Sequence, residues 1–98
     1  MADVSRALSD PTRRRILALL REDDLTAGQL AAHFDQSWPT VSGHLKVLRE
    51  ADLVQADRVG TSITYHLNES VLEATLAALF TALGIGDRKQ SKSRREAS

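Results

Sequence analysis

Ninety-eight residues make one small domain, and a domain this small buries only a modest share of its surface, so a second copy is in view from the start. The chain has no cysteine, which excludes a disulfide framework, a thiolate metal site and a cysteine nucleophile. Its formal net charge of zero argues against a general nucleic-acid coat, and with no long apolar run and no charged-then-apolar leader the expectation is a soluble cytoplasmic protein.

Residues 2–9 read as a short helix, with Val4 and Leu8 four apart. Ser9 or Asp10 suits an N-cap and Pro11 the first helical position, so a second helix starts there and runs to Arg21 with Ile16, Leu17 and Leu20 inward. Arg13 lies one turn before Ile16 and Leu17. Its stem is expected to pack beside them and its head to pair with a carboxylate, while Arg14 and Arg15 point elsewhere. The triplet resembles a phosphate patch, but a helix surface with one snorkelling arginine accounts for it better. Glu22, Asp23 and Asp24 form an acidic turn, and Thr26 caps a third helix over residues 27–34 with Leu30, Ala31 and Phe34 inward. Gly28 costs that helix some propensity.

Asp35, Gln36 and Ser37 form a tight connection into the stretch around which the chain is organised, SWPTVSGHLKVLREADL, residues 37–53. Pro39 suits a first helical turn, and Val41, Leu45 and Leu48 form one apolar stripe at i, i+4 and i+7. Winding by 100° per residue places Pro39, Gly43, Lys46 and Glu50 opposite that stripe, with Thr40, Ser42 and Val47 flanking them. A face that is small and polar at its start, with one cation a turn later, can enter a DNA major groove without a clash. Two short helices joined by a short turn are a helix-turn-helix.

After Leu53 the apolar period changes from 3.6 to 2. Residues 54–59 and 63–67 read as two strands, with Ile63, Tyr65 and Leu67 on one face and Gly60, Thr61 and Ser62 in the turn. A hairpin directly after a helix-turn-helix makes a winged helix. Arg58 near its tip, helped by Thr61 and Ser62, suits a phosphate or minor-groove contact, while Leu53, Ile63 and Leu67 complete the core. Asn68 caps a last helix over residues 69–83, where Leu72, Leu76, Leu79 and Leu83 recur beside Ala77 and Phe80. Glu69 and Glu73 suit its positive end, and Gly84 and Gly86 end it. Residues 84–98 hold five of the 13 bases and two of the 13 acids, and residues 87–98 have no apolar periodicity, so a disordered basic tail is expected. It either adds non-specific DNA attraction or only keeps the chain in solution.

The fold expected is therefore mainly α with a small β-hairpin, in the order α-α-α-α-β-β-α: a winged helix-turn-helix over residues 1–83, followed by the tail. The wide apolar stripe of the last helix needs a cover, and a symmetric contact with a second copy, joined by the first helix, explains it better than packing within the chain. Val4, Leu8, Leu72, Leu76, Leu79, Phe80 and Leu83 are the expected interface.

The runs ALSDPTRRRILALL (7–20), LTAGQLAAHF (25–34), SWPTVSGHLKVLREADLV (37–54) and TYHL (64–67) resemble the ArsR-type winged helix-turn-helix repressors of bacteria over residues 2–83. Within that family, TAGQLAAHF followed by VSGHLKVL without cysteine is most similar to the metal-independent autorepressor branch. The resemblance implies a homodimer joined through its first and last helices, with a recognition helix in the major groove and a wing beside it. It implies base-reading positions at Trp38, Pro39, Thr40, Ser42, Gly43 and His44, phosphate contacts at Lys46 and Arg49, and a wing contact at Arg58. Gly43 departs from the family pattern, in which a long polar or basic side chain is common, and Trp38 is also unusual: it packs against the domain or stacks on sugar and backbone.

Relatives in this family bind metal through cysteines in the third helix or Asp and His in the last. Here the first stretch offers only His33 and the second no His, Asp or Cys. His33, His44 and His66 lie on three different elements, and zinc needs about four convergent ligands. No metal or cofactor is expected, which leaves open only a His/Glu site bridging two copies. His33 is expected at a helix end and His66 as an outward strand residue. No phosphate loop, acid–base pair or nucleophile signature supports an enzyme. The function expected is a homodimeric transcriptional repressor on an inverted-repeat operator, possible also at its own promoter. A winged-helix protein–protein adaptor and a metal- or ligand-responsive repressor are the alternatives.

Overall fold

The computed structural model describes residues 2–85. Five helices and three strands follow in the order α1 (Ala2–Leu8), α2 (Pro11–Glu22), β1 (Leu25–Thr26), α3 (Ala27–Ala31), α4 (Trp38–Glu50), β2 (Val54–Val59), β3 (Ser62–Leu67) and α5 (Glu69–Ala82). Strand β1 is an addition to the expected order. It is two residues long, too short for any periodicity to show, and exists because Leu25 and Thr26 pair antiparallel with Tyr65 and Thr64. The sheet order is β1-β3-β2, all antiparallel. Helix α3 is shorter than residues 27–34. A capping box starts it, with Gln29 N–H donating to Thr26 Oγ1 at 3.2 Å and Thr26 N–H to Gln29 Oε1 at 2.8 Å. Ala32 and His33 follow as turns, and His33 is exposed.

The core lies between α2, α4 and the sheet, with Ile16, Leu30, Val41, Leu45, Leu48 and Leu53 fully buried and Tyr65 reaching it from β3. Helix α4 touches α1, α2 and β2, so its buried arc is wider than the stripe of Val41, Leu45 and Leu48. Val47, expected to flank the outward face, is instead buried, as is Ala51 one turn on. A Schellman motif ends α4: Asp52 N–H donates to Arg49 O at 2.9 Å and Leu53 N–H to Leu48 O at 3.0 Å. Asp52 occupies the left-handed position with φ 61°, and Leu48 and Leu53, whose backbones close the motif, are fully buried. The motif turns the chain sharply into β2.

Arg13 departs from expectation. Among the described residues its head forms no ion pair with a carboxylate. Nε donates to Ala7 O at 3.1 Å, one terminal nitrogen donates to Arg6 O, and the other meets His44 Nδ1 at 3.1 Å. Arg14 donates to Leu8 O at 2.9 Å. Two guanidinium groups thus satisfy carbonyls that the end of α1 leaves without helical partners. Arg15 lies 5.5 Å over the Phe34 ring. The triplet is therefore spent within the fold.

Helix α5 is capped by Asn68, whose side chain accepts from Val71 N–H at 3.4 Å, and ends at Gly84, with φ 77°. None of its residues is buried; Val71 and Leu72 pack against the core, and the rest stands away from it. Among the described residues no helix is long and apolar enough to cross a membrane. Gly86 and the basic tail lie outside the described residues.

Candidate nucleic-acid interface

The outward arc of α4 is what the packing leaves over. Ser42, Lys46 and Arg49 follow one another at i, i+4 and i+7, and Pro39, Gly43, Lys46 and Glu50 run beside them. All are exposed except Ser42, which is half-buried. At the N-terminal end the Ser37 and Thr40 hydroxyl groups bond to each other at 3.1 Å, and Ser37 makes no side-chain cap to the backbone. Gln36 donates to Thr12 Oγ1 at 3.0 Å, which ties the turn between α3 and α4 to α2. Trp38, the single tryptophan, is 37% exposed at the first helical position.

His44 stands apart from the other seven residues on this helix that were singled out. It lies one turn before Leu48, on the inward side, and its side chain is only 19% exposed. A guanidinium can only donate, so in the neutral imidazole Nδ1 is the acceptor toward Arg13. Nε2 faces Asp10 Oδ2 at 3.9 Å. His44 is thus turned away from the outward face and joins α4 to the start of α2. Its position relative to Leu48 was the available signal, and the family pattern outweighed it.

Asp10 completes this corner. Its carboxylate accepts from Thr12 N–H at 2.8 Å and Arg13 N–H at 3.1 Å, as the N-cap of α2. Partial desolvation works to raise its pKa, but the Arg13 and Thr12 amides, the charge of His44 in its protonated form and the Arg13 guanidinium hold it below the ordinary value of 3.8.

The wing projects as a two-residue hairpin. Val59 pairs with Ser62, so Ser62 belongs to β3 and only Gly60 and Thr61 form the turn. Gly60 has φ +61° and Thr61 does not share a positive φ, the pattern of a type II′ turn. Arg58, Thr61 and Ser62 are exposed. His66 is half-buried on the sheet face away from the core, where Nε2 meets Asp57 Oδ2 at 2.8 Å. Among the described residues, Lys46, Arg49 and Arg58 take part in no ion pair and no group of three His, Asp or Glu side chains forms a metal-sized cluster. A groove below Lys46 and Arg49 runs to β2 past Glu50, Asp52 and Asp57, so the cations give way to acids at the end of α4.

Residues 10–56 match the model of the family described as bacterial regulatory protein, arsR family. The transcriptional repressor SdpR of Bacillus subtilis is 42% identical over 87 residues, covering 89% of this chain and 97% of the repressor. The chain belongs to the arsR family. Its fold agrees with that of solved arsR-type regulators. An ArsR-like transcriptional regulator from Rhodococcus superposes with a TM-score of 0.78 at 32% identity, over 98% of this chain and 88% of the other. A homodimeric winged helix-turn-helix DNA-binding domain from Mycobacterium bovis, a possible ArsR-family regulator, superposes with a TM-score of 0.69 at 28% identity, over 85% and 78%. This arsR-family chain is thus a transcriptional regulator with a winged helix-turn-helix, in which α3 and α4 form the helix pair and β2 and β3 the wing.

Proposed function

We propose that the protein is a homodimeric repressor that places α4 in the major groove of an inverted-repeat operator. The observation that carries this reading is the outward arc of α4, a slim face with two cations that make no ion pair among the described residues, beside small residues. Lys46 and Arg49 contact phosphates, and Trp38, Pro39, Thr40, Ser42 and Gly43 lie against the groove. Arg58, Thr61 and Ser62 bring the wing to the adjacent backbone. His44 holds α4 to α2 and reads no base. A second copy covers α5 and α1, so the two recognition helices stand about one DNA turn apart. Occupying such a site blocks polymerase, and the promoter of the protein's own gene is the first candidate target. The Bacillus relative described as a repressor and the homodimeric Mycobacterium domain support this reading.

Footprinting on the DNA upstream of its own gene, with added zinc and with a chelator, tests it. The expected result is a protected inverted repeat whose protection ignores both additions. Protection that requires or disappears with zinc would favour a metal-responsive repressor, and no protection of any duplex at low salt would favour a protein–protein adaptor.

A further inference from the structure

Gly43 sits in the middle of α4, where a glycine costs the folded state about a factor of five against alanine. Nothing among the described residues asks for it. Its φ is not among the positive values, which fall at Gly60 and Gly84. Among the described residues a Cβ built on Gly43 meets nothing within 4 Å, so packing there does not exclude a side chain either. The remaining physical reason for a bare backbone is the close approach of something outside the chain. Pro39 lies one turn earlier on the same side, and its exposed ring carries no donor or acceptor. Together they form a shelf without polar side-chain atoms, bordered by Ser42 and Lys46. Such a shelf cannot read a base edge by side-chain hydrogen bonds. The apolar feature that a major groove offers is the C5-methyl group of thymine.

We infer that the shelf formed by Pro39 and Gly43 is a specificity determinant that seats a thymine methyl group on the floor of the major groove. The inference rests on the DNA-binding reading above and adds the base that this part of α4 selects. Ser42 and Lys46 are left to make polar contacts around the methyl group.

The experiment starts by selecting duplexes from a randomised pool with the native protein. Affinity is then measured at one salt concentration for the selected duplex, for versions with each thymine replaced by uracil, and for a scrambled duplex. Uracil lacks only the methyl group, so one replacement under the shelf is expected to weaken native binding about fourfold, and replacement in both half-sites about fifteenfold. Gly43→Ala is expected to raise the urea midpoint, so lost binding in this variant is not lost folding. It should bind the selected duplex about tenfold more weakly, bind the scrambled duplex as the native protein does, and no longer respond to uracil. Gly28→Ala, whose position is also open but lies on α3, should keep the uracil response. Native binding that ignores uracil at every position, or a Gly43→Ala variant with native affinity, overturns the inference and leaves the DNA-binding reading standing. A native protein that enriches no duplex overturns that reading, and this inference falls with it.

Discussion

Asp10 shows how one short side chain can tie three elements together. It caps α2 through two backbone amides, faces His44 of α4, and lies beside the guanidinium of Arg13, which itself holds the end of α1. These donors and charges favour the carboxylate over the acid and keep its folded pKa below the unfolded value of 3.8. The unfolded chain therefore binds the proton first as pH falls. The stability that Asp10 contributes is fully present above 3.8 and is lost as pH drops through the lower folded value. Asp10→Asn keeps a capping oxygen but has no charge to titrate. In urea unfolding across acid pH, the native protein should lose stability more steeply than Asp10→Asn, and the variant should be the less stable of the two at neutral pH. Parallel curves would assign the acid slope to other carboxylates. The cap itself was legible, because Asp followed by Pro is a strong helix start. The rest of the corner was not: Arg13 takes backbone carbonyls of α1, and carbonyls leave no mark in a sequence.

At the scale of elements, the local chemistry of caps and turns located most boundaries. Pro11, Thr26, Asn68, Gly60 and Gly84 each stand at an end that the structure realises. What escaped depended on contacts between elements. Strand β1 exists through its pairing with β3, and Val47 is buried because α4 is enclosed from more than one side. The division of labour between helix and wing gives two contrasting expectations. Arg58 stands exposed near the wing tip and takes part in no ion pair among the described residues, so Arg58→Ala should weaken binding to all duplexes alike. Its salt slope should flatten by about one unit for each half-site. Ser42→Ala removes a hydroxyl from the outward arc of α4 without removing charge. It should leave that slope unchanged and relax base preference at one position of each half-site, by roughly 1 kcal/mol or more. Gel shifts over a salt series, on matched and single-substituted duplexes, separate the two. A Ser42→Ala variant that weakened all sequences equally would move this residue from base reading to backbone positioning.

For the molecule as a whole, α5 is the element a single copy does not account for. An isolated helix of 14 residues is marginal in water, and this one is anchored to its own core mainly through Val71 and Leu72 near its start. Exposure then rises along the helix, from 37% at Leu76 to 45% at Leu79 and 63% at Leu83. Leu72 and Leu8, expected at an interface, are already partly spent on the core of their own chain. On the proposed dimer, the surface open to a second copy is the later half of α5, Leu76, Leu79, Phe80 and Leu83, with the groove that Val4 and Val71 line at its foot. This makes Leu83 the sharpest probe. Its exposure means that Leu83→Asp removes little from the fold of one copy, whereas in a two-fold contact the loss counts twice. At about 1.5 kcal/mol for each leucine withdrawn from an interface, the dimer should weaken on the order of a hundredfold. Sedimentation at micromolar concentration should then show monomers with an unchanged circular dichroism spectrum. Because each half-site alone binds far more weakly than the pair, the same variant should lose operator protection while keeping non-specific binding at low salt. A variant that stayed dimeric would move the interface off the end of α5 and leave that apolar face to some other cover.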